Sequence, residues 1–336
     1  MDVRATDSGL LTVFKPKGIT SQQLMTQLKR QLGFKDIGHA GTLDQFAAGL
    51  MIVGIGEGTK LLRFFFDADQ TSKLYYKKYI CKFIFGHTTE TLDPTTLTAT
   101  QLSEFASIET GIDLNDINTA IETHFLNAPY EQSPPVYSAM KFQGQRLSDL
   151  VRHHDTTNQV AAIAYDKRRL VDIQKMSVLD WADPQITLEI ECSKGTYIRS
   201  MARDLAAILQ TTAFCSELFR SEVGSFSFQG NYHCSERTVL AALAIDKFYS
   251  FETLFFSEYP FLDVIYHPQA ERLRHGIIPH TMRDDFMLDV TNNGLALGSA
   301  KNYLVCNTNR QPISLINIAR DSGGNVSISI LRGINL

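Results

Sequence analysis

The 336-residue chain reads as an α+β protein: a central mixed, mainly antiparallel sheet flanked by helices, followed by a small β-rich unit. Three observations carry that reading. Segments alternating apolar and polar residues interleave with segments whose apolar residues recur every three or four positions. The strand segments mostly alternate rather than run continuously apolar, which suits antiparallel or mixed pairing better than a parallel sheet buried on both faces. From about Phe255 the pattern changes to short strands between Gly, Asn and Asp turns. The expected division is therefore residues 1–250 and 251–336.

Leu10–Phe14 is a short apolar strand, stopped by the turn signal Lys15-Pro16-Lys17-Gly18. Ser21 then stands where it can cap a helix whose Leu24, Leu28 and Leu32 share one face. Lys78–Phe85 alternates, with Tyr79, Cys81, Phe83 and Phe85 on one side. The spacing predicts an amphipathic helix over Asp113–Leu126, with Leu114, Ile117, Ile121 and Phe125 inward. Ile186–Cys192 is a half-buried strand that passes through Ser193-Lys194-Gly195 into a helix carrying Met201, Leu205 and Leu209.

Apolar residues make up 44% of the chain and charged residues 20%, which excludes wholesale disorder. The apolar run near residues 47–55 is too short to span a bilayer and is broken by glycine, so no membrane association is expected. The N-terminus lacks the basic-then-apolar layout of a signal peptide. Five cysteines, an odd number without a CxxC pair, argue against a disulfide framework and a structural zinc site, and for a reducing, cytoplasmic setting. Net charge is −4, which excludes a protein that coats nucleic acid non-specifically. Basic residues nevertheless cluster at Lys73, Lys77, Lys78 and Lys82, at Lys141, Arg146 and Arg152, at Lys167–Arg169, and at Lys194, Arg199 and Arg203. Such clusters are often solvated faces; gathered into one groove, they would favour a structured nucleic acid.

Four segments can carry chemistry. Gly38-His39-Ala40-Gly41-Thr42-Leu43-Asp44 sets a carboxylate in a glycine-bracketed turn, where it is either a fixed nucleophile, base or ligand, or simply closes its own turn. Tyr79 is either a core aromatic or a ring for base stacking whose hydroxyl exchanges a proton. Gln132–Lys141 is a proline-stiffened stretch, either a connector or a wall that positions substrate. Arg199 falls in the first turn of a helix, where the dipole disfavours a cation, so it needs an anion from the protein or a phosphate.

Taken together, these segments resemble the TruB-type pseudouridine synthases, which convert the uridine at position 55 in the T-loop of tRNA. The ordered matches are KPKGITS at Lys15–Ser21, GHAGTLDQFAAGL at Gly38–Leu50, GEGTK at Gly56–Lys60, KKY at Lys77–Tyr79 and GHTTETLD at Gly86–Asp93. QSPPVYSAMKFQG at Gln132–Gly144, CSKGTYIRSMARDLA at Cys192–Ala206 and LFRSEVGSF at Leu218–Phe226 complete them. The resemblance implies the pseudouridine synthase fold and a redox-neutral isomerisation without cofactor or metal. It implies Asp44 as nucleophile on a flipped-out uridine, Arg199 as its partner, and Tyr79 as the active-site tyrosine. It also implies His39 as the histidine filling space left by extruded nucleotides and Leu218 as an apolar contact to the base. Lys15, Lys77, Lys141 and Tyr197 join the expected RNA-binding set. Residues 251–336 are loosely similar to a PUA-like RNA-binding barrel, and the expected protein is a monomer with tRNA as its partner.

The sequence departs from the family pattern at Ala40, Gln45 and Glu90, and its last motif keeps Phe219-Arg220 where the family has two arginines. Other readings are a non-catalytic tRNA-binding protein on the same scaffold and a pseudouridine synthase for another RNA. A hydrolase using His39 and Asp44 lacks a nucleophile motif, and a metal site from His39, His87 and Asp93 fits no ligand spacing.

Overall fold

The computed structural model describes residues 7–67, 74–138, 140–143, 145–146, 157–228, 244–250, 254, 263–282, 284 and 295–334. The first strands are β1 (Gly9–Lys15), β2 (Ile37–His39), β3 (Ala48–Ile55) and β4 (Tyr76–Phe85). Short pieces follow: β5 (Tyr130–Gln132), β6 (Lys141–Phe142), β7 (Gln145–Arg146) and β8 (Arg169–Val171). Next come β9 (Ile173–Ala182), β10 (Gln185–Ser193), β11 (Ala213–Val223), β12 (Phe226–Ser227) and β13 (Ala244–Ser250). Among the described residues nine of these build one sheet, ordered β13-β1-β3-β11-β4-β10-β9, with β2 beside β3 and β12 beside β11, while β5 pairs with β8 and β6 with β7 apart from it. All of its pairings are antiparallel except β11 with β3, so the sheet is mixed and mainly antiparallel.

Every residue of β1 and β3 is buried, whereas β10 alternates. The reason is a layer on each face. Leu11, Val13, Met51 and Val53 pack with Leu24, Met25 and Leu28 of the helix Ser21–Leu32. Leu10, Leu50 and Ile52 pack instead with Phe64, Phe65 and the C-terminal residues Leu304, Leu315 and Ile334. Strands buried on both faces cannot alternate, so their apolar runs are the signature of the sandwich.

Three local expectations gain detail. Thr20, not Ser21, caps the first helix: its side chain accepts from Gln23 N while Gln23 returns a bond to Thr20 N, a reciprocal capping box. Ser21 is thereby released for another task. The predicted helix over Asp113–Leu126 begins at an Asp113 cap and is α-helical over Leu114–Ile121, then widens into a π-helical turn over Glu122–Leu126. Ile117, Ile121 and Phe125 still point inward, while Leu114 is half-buried.

The C-terminal region holds β14 (Asp263–Tyr266), β15 (Ser299–Cys306), β16 (Pro312–Arg320) and β17 (Val326–Gly333) in one four-stranded sheet. It packs on the larger unit through the shared apolar layer and through Lys60, whose Nζ donates to Gly333 O at 2.8 Å.

Candidate active site

The loop between β2 and β3 carries Asp44, and five groups fix it. Ala40 N donates to Ile52 O at 2.9 Å. The Ser21 hydroxyl accepts from Leu43 N and donates to Leu43 O, both at 2.9 Å. Gln45 Nε2 donates to Gly18 O at 3.0 Å and Gly18 N donates to Gln45 O at 2.8 Å, so this departure from the family pattern ties two motifs together. Arg220, 1% exposed, donates from Nε to Leu50 O at 2.8 Å, and its Nη1 and Nη2 reach Thr42 O and Gly41 O at 3.3 and 3.4 Å. Gly49, at φ 123°, lets β3 meet β11: a Cβ there would sit 2.3 Å from Arg220 O.

Lys15 is the fifth group, and it corrects an expectation. Counted among RNA contacts, it is fully buried, and its ammonium donates to the carbonyls of Pro16, Ile19 and Ala47 at 3.0, 2.8 and 2.7 Å. Burial pushes it down to about 8, while the Asp44 charge pulls the other way. Its work is internal: it ties the turn after β1 to the C-terminal end of the Asp44 loop. Lys15→Met is expected to lower stability by about 2 kcal/mol, because three buried carbonyls lose their donor. Chemical denaturation measures the loss, and turnover should fall with it as the loop loosens.

Across from Asp44, the helix Ile198–Ile208 begins at Tyr197, with Arg199 in its first turn. The anion that this cation needs is supplied twice. Arg199 Nε donates to Asp44 Oδ2 at 2.9 Å, and Nη2 reaches Asp44 Oδ1 at 3.3 Å, a two-point fork. Asp93 Oδ2 lies 3.5 Å from Nη1. The carbonyls of Thr91 and Tyr137 take further donations at 2.6 and 3.0 Å. Arg199 is 5% exposed at its side chain and Asp44 36%, so the guanidinium is fixed from behind while the carboxylate opens forward.

Forward lies a cavity of about 510 Å³, lined by Asp44, Arg199, Tyr79, Leu218, Tyr197 and Lys77 among others. Tyr79 on β4 is 7% exposed. Burial pushes its phenol up to about 12; the Asp44 charge adds to the rise and the Arg220 guanidinium opposes it. The group therefore holds its proton at neutral pH and presents an apolar ring with a donor hydroxyl. Leu218, 4% exposed, and Met140 supply further apolar wall. Tyr197 is locked by Gln132, which accepts from its N–H at 2.7 Å and donates to its carbonyl at 3.0 Å. The proline-stiffened segment thus braces the cavity through Gln132 and lines it with Met140.

Of the remaining expected residues, His39 ends β2 and lines a separate cavity of about 370 Å³ with Gln22 and Lys29. Burial lowers its affinity for a proton, with Arg220 adding to the effect. Lys141 lies in β6, and its side chain falls outside the described residues. His87 stacks on Phe105 at 3.9 Å and Asp93 turns to Arg199. Among the described residues no group of three His, Cys, Asp or Glu side chains could hold a metal ion. Asp93, Arg220, Arg169 and Lys194 complete the site or its wall without having been singled out for it. Each sits inside a quoted motif or basic cluster, which was the available signal.

A family model described as TruB family pseudouridylate synthase (N terminal domain) matches residues 29–198. The tRNA pseudouridine synthase B of Borreliella afzelii is 32% identical over 246 residues, spanning 73% of this chain and 80% of that protein. Its counterpart in Gloeobacter violaceus is 37% identical over 226 residues, spanning 66% and 70%. Two solved structures share the fold at a TM-score of 0.57. One is of an H/ACA RNP bound to a substrate RNA containing 2'-deoxyuridine, at 13% identity over 98% of this chain and 85% of that one. The other is of a Cbf5-Nop10-Gar1 complex, at 17% identity over 96% and 83%. The molecule is thus of the pseudouridine synthase class, an isomerase that rearranges uridine within RNA. More narrowly, the chain belongs to the TruB family and is a tRNA pseudouridine synthase.

Proposed function

We propose that this enzyme isomerises the uridine at position 55 in the T-loop of tRNA, with Asp44 as nucleophile on a flipped-out nucleotide. One observation carries the reading: the Asp44–Arg199 fork faces the cavity that Tyr79 and Leu218 share. A folded loop yields its base at a cost of a few kcal/mol, and stacking on an aromatic ring returns about 1–3 kcal/mol. Asp44 forms a covalent adduct at ribose C1′ or base C6, the N-glycosidic bond opens and leaves its electron pair on N1, the base rotates, and C5 takes the sugar as the bond to Asp44 breaks and N1 takes up a proton. C5 then gives up its proton. The neutral Tyr79 phenol orients the base and relays that proton rather than storing it.

Residues 1–250 form the catalytic unit in this reading, and 251–336 a PUA-like RNA-binding unit packed beside it. The enzyme acts as a monomer in the cytoplasm; the free, buried thiols of Cys192 and Cys306 support a reducing compartment.

The test is tritium release from unmodified tRNA transcript labelled at uridine C5, with the modified position mapped. Release at the T-loop uridine is expected. A folded enzyme that binds tRNA without release would turn the reading to a tRNA-binding protein, and release elsewhere would turn it to another RNA site. Tyr79→Phe should slow turnover about a hundredfold with little change in tRNA affinity. Tyr79→Ala should also weaken binding about tenfold or more, by loss of stacking. Equal weakening by both variants would show that the hydroxyl, not the ring, holds the base.

A further inference from the structure

Among the described residues, three cations besides Arg199 line the cavity: Lys77, Arg169 and Lys194. Arg169 donates to Gly195 O and Lys194 to Phe66 O. Lys77 differs from both, because among the described residues its ammonium has no hydrogen-bond acceptor and no carboxylate partner. Its neighbours make matters worse. Arg220 from β11 and Lys194 from the turn after β10 are like charges, and Cys192, its cross-strand partner on β10, is a buried thiol. A half-buried ammonium beside two cations costs free energy unless an anion completes the site.

The position of Lys77 indicates which anion. Lys77 stands two residues before Tyr79 on β4, about 6.6 Å along the same face of the strand. A group about that far from a ring that stacks the base is within reach of the sugar–phosphate of the same nucleotide. Its Nζ lies 3.1 Å from where a Cβ on Gly41 would stand, against the loop that carries Asp44. Gly41, at φ 104°, leaves that space open. Neutral base oxygens ask only for a hydrogen-bond donor; a phosphate brings the negative charge that this wall lacks.

Resting on the functional reading above, we propose that Lys77 is the phosphate-binding residue of the active cavity. Its ammonium takes a non-bridging oxygen of a phosphate flanking the flipped-out uridine and holds the sugar against Asp44. In the free enzyme, burial pushes the ammonium down to about 7, with Arg220 and Lys194 lowering it further and Cys192 opposing them. A lysine is charged below its pKa, so kcat/KM should fall as pH rises through about 7, because that ratio reports the free enzyme.

The experiment compares wild type and Lys77→Met on T-arm hairpin RNAs. One hairpin is natural; two carry a neutral methylphosphonate, at the 5′ or the 3′ phosphate of the target. Lys77→Met should lower kcat/KM on the natural hairpin about ten- to a hundredfold, and its profile should lose the fall near pH 7. On one of the two neutral hairpins, wild type should be equally slow and the substitution should cost nothing more. The proposal is overturned if Lys77→Met keeps wild-type kcat/KM. It is also overturned if its loss is the same on all three RNAs, which would assign the ammonium to a uracil oxygen. Should the variant not fold, wild type alone decides, since undiminished kcat/KM on both neutral hairpins overturns the proposal. A wild-type protein that does not turn over the natural hairpin contradicts the functional reading instead. The same three-hairpin comparison of Kd then tests Lys77 separately.

Discussion

Asp44→Asn should reduce tritium release by at least about 10⁴-fold, the scale on which enzymes lose turnover with their nucleophile, while tRNA affinity stays within about threefold of wild type. The carboxamide keeps the shape of the side chain and can still accept from Arg199 Nε, whose partner oxygen lies at 2.9 Å. It has no charge, and its amide oxygen is too weak a nucleophile to form an ester at C1′ or a Michael adduct at C6. Binding survives because the cavity wall does not depend on residue 44: Tyr79, Leu218 and Tyr197 are held by β4, β11 and the Gln132 brace. Turnover by a pure Asn variant near the wild-type rate would remove Asp44 as nucleophile. Loss of tRNA binding in parallel with turnover would instead make the residue a substrate contact. Titration with labelled transcript beside the release assay separates the outcomes.

Much of this site is legible in one dimension because its parts lie in compact motifs. The alternation of Lys78–Phe85 places Tyr79 on the buried face, where it is found. Arg199 at a helix start is an electrostatic misfit in sequence, and Asp44 and Asp93 supply the missing anion in space. What the chain does not reveal is whether a polar side chain points inward. Lys15, beside a proline and a glycine turn, reads as an exposed cation, yet its ammonium is spent on three carbonyls. Ser21 reads as a cap because serine is a good one, but Thr20 precedes it with Gln23 at the matching distance, and the spare hydroxyl secures Leu43. Arg220 reads as the remnant of a pair, and its fork onto the Asp44 loop appears once β11 lies against β3. Residues whose role is set by local spacing were readable; those set by contacts across the sheet required the fold.

Replacing Arg199 with methionine should cost about 3 kcal/mol of stability and about 10²–10³-fold in kcat, and the two losses should have different sources. Removing one partner of a buried ion pair typically costs about 3–5 kcal/mol. Here the Asp44 side chain is 36% exposed and can regain water, whereas Asp93 is 8% exposed and cannot, so the lower end applies. The stability loss belongs mainly to Asp93 and to the Thr91 and Tyr137 carbonyls, which lose their donors. Asp93 keeps the Thr91 hydroxyl and Thr95 N–H at 2.8 and 2.9 Å, and these limit the damage. The loss in kcat belongs to Asp44, which loses the fork that aims it into the cavity. A double-mutant comparison separates the two. In an Asp44→Asn background, Arg199→Met should still remove most of the same stability in chemical denaturation, because Asp93 is unchanged, while turnover has nothing further to lose. A stability loss that disappears in that background would assign the whole effect to the Asp44 pair and leave Asp93 a bystander. Arg199→Lys should fall between: a lysine keeps the charge but cannot fork onto Asp44 while also serving two carbonyls. It should retain most of the stability and little of the rate.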